Sequence, residues 1–264
     1  MTKPLITIAI IDMYDGTANV GMDCIVNILK NWGIKRNFTI ESTIFKLRAQ
    51  NEIPDQSFDI YISSGGPGSP IDSENTCWDN LYTKWLEQMM HLNKPVLLIC
   101  HSFQLACRHF NLGSIGLRKS RQIGILPVHP LCTDPIFNGL DDPFYALESR
   151  SYQILAPNDA ALANMDASII ALEKIRPQVP LERAIMGIRF NKHMIGVQFH
   201  PEGEAETLQG FFKDPILKDK IIEEFGIEKW KTTMAHLDDP LKIKKTSAHF
   251  IPNFLDAAIP FQKH

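Results

Sequence analysis

The sequence is poor in cysteine, in net charge and in long apolar runs. Its 264 residues include five cysteines and carry a formal net charge of −3. No apolar run approaches the roughly 20 residues that cross a bilayer, and the run over residues 5–11 is too short for the core of a signal peptide. The odd cysteine count and the missing export signal predict a reducing, cytoplasmic location. A mildly acidic chain predicts partners other than nucleic acid or a membrane.

Motifs for cofactor and metal binding are also missing. The glycine-rich segment 64–68 is not followed by the Gly-Lys-Ser/Thr of a P-loop, and there is no Gly-x-Gly-x-x-Gly fingerprint. Four cysteines lack the paired spacing of a zinc site: Cys24, Cys77, Cys107 and Cys132. We therefore expect no cofactor and no metal, and we interpret these four side chains as core or surface thiols.

What is present is an alternation of short β-like runs with helix-like runs. Hydrophobic residues make up 44% of the chain, enough for a sizeable core. Strands are predicted at residues 5–11, 39–47, 59–63 and 96–99. The clearest helix covers residues 78–90, where apolar side chains repeat every 3.6 residues. This alternation predicts an α/β fold, a doubly wound and mostly parallel sheet with helices on both faces.

The pattern changes from about residue 122, where β-like runs follow one another with little helix between them. They cover residues 123–128, 144–147, 168–172, 184–190 and 194–199. We expect them to add antiparallel strands at one sheet edge, with a hairpin tip at Asn191 and Lys192. The remainder, to residue 264, reads as a helical extension. Prolines are expected to divide it into short helices: Pro215, Pro240, Pro252 and Pro260.

Cys100 directly follows a predicted buried strand and precedes a predicted helix. Ligands bind beyond the carboxyl ends of strands in such sheets, and a sharp strand-to-helix turn exposes a nucleophile. The helix N-terminus would also stabilise a thiolate. The alternative is that Cys100 is a small buried hydrophobe, which is the usual environment of a free cysteine.

Two further segments at strand ends would complete a catalytic site. A thiol nucleophile needs a base and an orienting acceptor, and His200 and Glu202 alternate so that both side chains face the same way. The alternative for this pair is a surface histidine beside a solvated glutamate. Backbone N–H groups of the segment 64–68 could hold a developing oxyanion, or the segment could be a plain turn or a phosphate cradle.

Three segments together resemble the class I glutamine amidotransferases, most of all the glutaminase domain of GMP synthase and its stand-alone relatives. The segments are ISSGGPGS (62–69), PVLLICHSFQ (95–104) and IGVQFHPE (195–202). The resemblance implies a flavodoxin-like fold, with an amidotransferase-like domain at residues 1–213 and a helical extension at 214–264 packed on it.

The resemblance also implies the role of each site residue. Cys100 would be the nucleophile, His200 the general base and Glu202 the residue that orients it. The backbone N–H groups of Gly66 and His101 would form the oxyanion hole. Glutamine would be held by a further set of residues: Gly65, Gln104, Ser149 and Arg150. The His101 side chain itself is expected to point away from the nucleophile and form part of the wall.

The implied activity is hydrolysis of the glutamine side-chain amide through a γ-glutamyl thioester. Since no acceptor domain is recognisable, the ammonia would pass to a separate synthase subunit or other acceptor. The sequence departs from the family at three positions, where Leu98 and Ser102 replace glycines and Arg150 replaces a histidine. Two alternatives therefore stay open, namely a γ-glutamyl peptide or amide hydrolase with the same triad and a catalytically silent binding or regulatory protein. A homodimer is one assembly that we keep open.

Overall fold

The computed structural model of the protein describes residues 3–17, 19–178 and 180–259. The strands in this part of the chain are β1 (Leu5–Asp12), β2 (Thr39–Lys46), β3 (Ile60–Ser63), β4 (Val96–Ile99), β5 (Gly113–Pro130), β6 (Phe144–Pro157), β7 (Ser168–Glu173), β8 (Ile185–Arg189) and β9 (Met194–Val197). They form one sheet in the order β2-β1-β3-β4-β9-β8-β7-β5-β6. No helix in the described residues is long and apolar enough to cross a membrane.

The parallel part of the sheet contains β2, β1, β3, β4 and β9, in which every neighbouring pair is parallel. The four strands beyond β9 pair antiparallel with one another and with β9. Between β8 and β9, the turn at Asn191 closes the predicted hairpin, because the Asn191 side chain accepts hydrogen bonds from the backbone of His193 and Met194. The predicted doubly wound sheet with an antiparallel edge is confirmed.

Helices cover both faces of the sheet. They are α1 (Gly21–Arg36), α2 (Leu47–Gln50), α3 (Cys77–His91), α4 (His101–His109), α5 (Asp159–Asn164), α6 (Ala205–Lys213), α7 (Pro215–Phe225), α8 (Ile227–Asp238) and α9 (Ile243–Ala258). Helices α1 and α9 pack on one face against Ile8 and Ile10 of β1. Helices α3 and α4 pack on the opposite face against Ala9 and Ile11. The buried positions of β1 therefore alternate between two cores, as expected of a strand covered on both sides.

Strands β5 and β6 are much longer than the pattern predicts. The predicted strands at 123–128 and 144–147 are only parts of them. The additional residues pair with each other as a two-stranded ribbon, in which Ser114 lies opposite Leu155 and Leu117 opposite Tyr152. The ribbon includes a polar, largely exposed stretch at residues 118–122 and a register shift after Leu117. It therefore lacks the apolar alternation by which a strand is recognised.

The C-terminal segment is helical as predicted, but one proline does not interrupt it. Pro215 begins α7, and the Asp214 carboxylate caps that helix by accepting from the Leu217 N–H. Pro252 instead lies inside α9, so the prediction that it ends a helix is wrong. The missing backbone bond is offset by burial of neighbouring side chains such as Phe250 and Leu255. Pro260 lies outside the described residues.

The last helix is part of the main core. Its Asp256 accepts a hydrogen bond from the Trp32 indole and forms an ion pair with Arg36, both on α1. Helices α6, α7 and α8 form a third apolar cluster against Ile123 and Ile125 of β5. The helical extension thus packs on the same sheet, while its division from the first domain at residue 213 stays a prediction.

Candidate active site

Cys100 lies in a strained turn between β4 and α4. Its backbone has φ 50° and ψ −99°, a conformation that an L-residue adopts only when the surrounding structure enforces it, at a cost of roughly 1–3 kcal/mol. The enforcing contacts are backbone hydrogen bonds, since the Cys100 N–H donates to Val197 and its carbonyl accepts from Gln104. This turn brings the sulfur to the N-terminus of α4, where the N–H groups of the first turn lack helical acceptors.

The glycine segment after β3 lies directly against this turn. A Cβ atom at Gly65 would stand 2.6 Å from Cε1 of His200 and 3.5 Å from Cβ of Cys100. A Cβ atom at Gly66 would stand 2.2 Å from the carbonyl oxygen of Met13. Neither glycine has a positive φ, so both are required for close approach and not for backbone freedom.

His200 and Glu202 follow β9 and are almost completely buried. The His200 Nδ1 is 2.8 Å from Oε1 of Glu202. The His200 N–H donates to the carbonyl of Leu147, which ties this segment to β6. Burial alone would lower the pKa of the His200 imidazole, but the Glu202 carboxylate and the Cys100 sulfur together raise that pKa well above its ordinary value. The site therefore favours the protonated form of the His200 imidazole.

Two glutamine side chains connect the sulfur to the neighbouring strand. The amide of Gln198 donates to the Cys100 Sγ at 3.5 Å. The amide of Gln104 donates to Oε1 of Gln198 at 3.0 Å, and its nitrogen is also 3.5 Å from the Tyr152 carbonyl. Because its carbonyl oxygen is held by Gln104, Gln198 must point its NH₂ group at the sulfur.

Two cavities meet at Cys100. The first, of about 550 Å³, is lined mainly by polar residues that include Gln104, Ser149 and Arg150. The second, of about 250 Å³, extends past His200 and Glu202 and is lined mainly by apolar side chains. Gly66 and Cys100 border both cavities. A substrate with a polar half and an apolar half could therefore occupy both cavities while its reacting atom lies at the sulfur.

Comparison with known proteins shows the family of the chain. The family model described as glutamine amidotransferase class-I matches residues 10–218. The chain belongs to the class I glutamine amidotransferase family. The match includes the glycine segment, Cys100 and the segment that carries His200 and Glu202.

Two curated proteins similar to this chain are GMP synthases. The chain is 28% identical over 143 residues to a glutamine-hydrolyzing GMP synthase subunit of Thermococcus kodakarensis, a match covering 53% of this chain and 64% of that protein. It is also 28% identical over 141 residues to the glutamine-hydrolyzing GMP synthase of Aeropyrum pernix, covering 53% of this chain and 23% of that longer protein. The matches thus span less than two thirds of either relative.

Solved structures share the fold at low sequence identity. A glutamine amidotransferase from Thermotoga maritima has a TM-score of 0.70 at 15% identity, covering 97% of this chain and 99% of its own. A glutamine amidotransferase from Methylobacillus flagellatus has a TM-score of 0.61 at 13% identity, covering 100% and 98%. These likenesses confirm the predicted flavodoxin-like α/β fold.

Most predicted site residues of the amidotransferase lie around the sulfur. Gly66, Gln104 and Ser149 border the cavities described above, and Gly65 lies against His200 and Cys100. The side chain of His101 is buried, and its ring centroid is 6.4 Å from that of Trp78 on α3. Burial, with the charges of Arg48 and Arg108, lowers the pKa of His101 to about 3. His101 is therefore a neutral wall residue at ordinary pH.

Arg150 differs from the other predicted site residues, because its guanidinium forms ion pairs with buried carboxylates of the same chain. The side chain is 1% exposed, and it bonds to Glu148 at 2.9 Å and to Glu173 at 3.2 Å. Arg118 and Arg176 also pair with Glu173. Arg150 also borders the polar cavity, and these ion pairs fix its guanidinium against Glu148 and Glu173.

The two departures beside the nucleophile are accommodated by the amidotransferase core. Leu98 is completely buried in the apolar cluster under α3 and α4. The Ser102 hydroxyl is 2.7 Å from the Ser63 hydroxyl and donates to the Ser64 carbonyl at 2.6 Å. Ser102 thereby connects the start of α4 to the glycine segment, so the strained turn persists without its flanking glycines.

Residues that the sequence analysis did not single out also surround the site. Gln198 contacts the sulfur, and Tyr14 lines the apolar cavity beside Glu202. Burial raises the pKa of the Tyr14 phenol well above its ordinary value, and the charges of Glu202 and Cys100 add to the effect, so the phenol stays neutral. Strand alternation was the available signal for Gln198, which lies two residues before His200. Among the described residues, no group of three or more His, Cys, Asp or Glu side chains could hold a metal ion.

Proposed function

We propose that this amidotransferase hydrolyses the side-chain amide of glutamine, or of a γ-glutamyl relative, through a thioester on Cys100. The observation that carries the proposal is the buried His200 imidazole, which lies 2.8 Å from Oε1 of Glu202 and borders one cavity together with Cys100. Such a group stabilises a thiolate and can then return its proton to a leaving nitrogen. Family membership supports the same chemistry.

The proposed reaction has two stages, formation and hydrolysis of the thioester. The Cys100 thiolate attacks the amide carbon, and the backbone N–H groups of Gly66 and His101 are proposed to stabilise the oxyanion. His200 donates its proton to the nitrogen as the C–N bond breaks. It then takes a proton from water, whose oxygen attacks the thioester and releases glutamate. Glu202 orients the imidazole and stabilises its charged form.

The remaining roles concern the substrate. We assign the amino-acid end of glutamine to the polar cavity, with Gln104 and Ser149 on its wall and Gly65 beside the reacting carbon. Arg150 is assigned a positioning role through its ion pairs with Glu148 and Glu173. Released ammonia would pass to a separate synthase subunit in the cytoplasm, which is supported by the similarity to the GMP synthase subunit of Thermococcus kodakarensis.

The test compares ammonia release from glutamine by the protein and by Cys100→Ala, with Cys107→Ala as the matched control. Cys107 is a buried thiol near the C-terminal end of α4, and it lies outside both cavities. We expect Cys100→Ala to lose activity by at least a thousandfold and Cys107→Ala to retain it. A glutamine-derived chloromethyl ketone should label Cys100 stoichiometrically. Absence of both turnover and labelling would instead support the catalytically silent protein.

A further inference from the structure

We infer that the apolar cavity beside His200 binds the amine part of an N-substituted γ-glutamyl amide, so that the preferred substrate carries an apolar amine in place of ammonia. The inference rests on the proposed thioester chemistry and adds the substrate class to it. The first observation that supports it is the position of the catalytic imidazole relative to the two cavities. His200 and Glu202 border the apolar cavity and are not part of the wall of the polar one.

This position decides which half of a substrate each cavity receives. The leaving nitrogen must be next to the imidazole that protonates it. With the amide carbon at Cys100, the nitrogen and its substituent therefore point toward His200 and into the apolar cavity. The glutamyl half then extends in the other direction, where polar residues such as Gln104 and Ser151 line the wall.

The lining of the cavity indicates the chemistry of that substituent. The apolar wall consists of side chains from the loop before α1, from β5 and β6, and from α6: Val20, Ile123, Leu147, Leu208, Phe211 and Phe212. Ammonia makes no use of such a surface, whereas each methylene of an alkyl amine that is buried there improves binding about fourfold.

The size of the cavity sets the range of amines. Apolar protein cavities of about 150 Å³ bind benzene, and this one is about 250 Å³. A butyl or benzyl group therefore fits. Glu202, whose Oε1 is 2.8 Å from Nδ1 of His200, borders the same cavity.

The experiment measures kcat/KM for glutamine and for the ethylamide, butylamide and benzylamide of γ-glutamate. We expect kcat/KM to rise along this series and to be at least tenfold higher for the benzylamide than for glutamine. A flat series, or one in which glutamine is the best substrate, overturns the inference and leaves the thioester proposal intact. If none of the four is hydrolysed, the proposed function itself fails.

A pair of variants tests whether the cavity is responsible. Val20→Phe fills the cavity, while Ile216→Phe places the same ring on α7 at a position that is 67% exposed and outside it. We expect Val20→Phe to lower the benzylamide-to-glutamine ratio of kcat/KM at least tenfold and Ile216→Phe to leave it unchanged. Thermal melting of both variants checks that they fold. An unchanged ratio in a folded Val20→Phe variant also overturns the inference.

Discussion

Gly65 offers a sharp test, because a single methyl group there would meet the catalytic imidazole. The Gly65 backbone has no positive φ, so alanine can adopt it without strain. The added Cβ would stand 2.6 Å from Cε1 of His200, whereas ordinary contact begins near 3.4 Å. The ring or the loop must therefore shift by about 0.8 Å, the difference between these two distances.

The expected effect is large on activity and moderate on stability. A misplacement of about 1 Å in a catalytic group can cost on the order of 100-fold in rate. Overpacking a buried position costs about 1–3 kcal/mol in the free energy of unfolding. We therefore expect Gly65→Ala to fold, to lose about 100-fold in kcat, and to react more slowly with iodoacetamide at Cys100 near neutral pH, since the imidazolium would no longer stabilise the thiolate.

The assay combines steady-state hydrolysis, alkylation of Cys100 and thermal unfolding. Gly210→Ala is the matched control, because a Cβ there meets no atom within 4 Å and the residue lies inside α6. Alanine in a helix is favoured over glycine by about 1 kcal/mol, so this variant should be at least as stable and fully active. A folded Gly65→Ala protein with kcat within threefold of the parent would show that a Cβ at residue 65 does not displace the His200 imidazole.

Three further variants test other parts of the site. Glu202→Gln removes the charge that raises the pKa of His200, so the alkaline limb of the kcat profile should move to lower pH, with kcat at least 100-fold lower. An unmoved limb would contradict that role. Neutral His101 stabilises the fold above its unfolded pKa of about 6.5, and this stability is lost as pH falls toward about 3. Chemical denaturation of His101→Gln should therefore show a weaker loss between these pH values, and a parallel loss would count against the assignment. Gln198→Leu removes the donor to the sulfur, which should lower kcat/KM about tenfold or more and slow the reaction of Cys100 with iodoacetamide. An unchanged alkylation rate would show that the contact is only structural.

The parallel part of the fold was predictable because strands buried on both faces have nearly continuous apolar sequences. Positions of β1 are apolar on both sides, and Cys100 follows β4 without an intervening loop. The extended ribbon of β5 and β6 was not predictable, because a polar, largely exposed stretch at residues 118–122 and a register shift interrupt its alternation. Pro252 was misjudged because local propensity was outweighed by tertiary burial of α9.

The site was predictable where a residue's chemistry is local and not where it depends on a distant partner. His200 and Glu202 are two residues apart, so strand alternation alone brings them to the same side. Arg150 forms an ion pair with Glu173 on a separate strand, and no local sequence pattern predicts that pairing. The apolar cavity likewise combines α6 with the loop before α1, an arrangement that exists only after folding.

The proposed hydrolysis depends most directly on a covalent γ-glutamyl intermediate at Cys100. Rapid acid quenching of the protein during turnover of glutamine and of γ-glutamyl benzylamide, followed by peptide mass spectrometry, would detect it. We predict the mass of one γ-glutamyl group on the peptide that contains Cys100, from either substrate, and none on that peptide from Cys100→Ala. Sustained hydrolysis with an unmodified Cys100, or with the group attached elsewhere, would contradict the account.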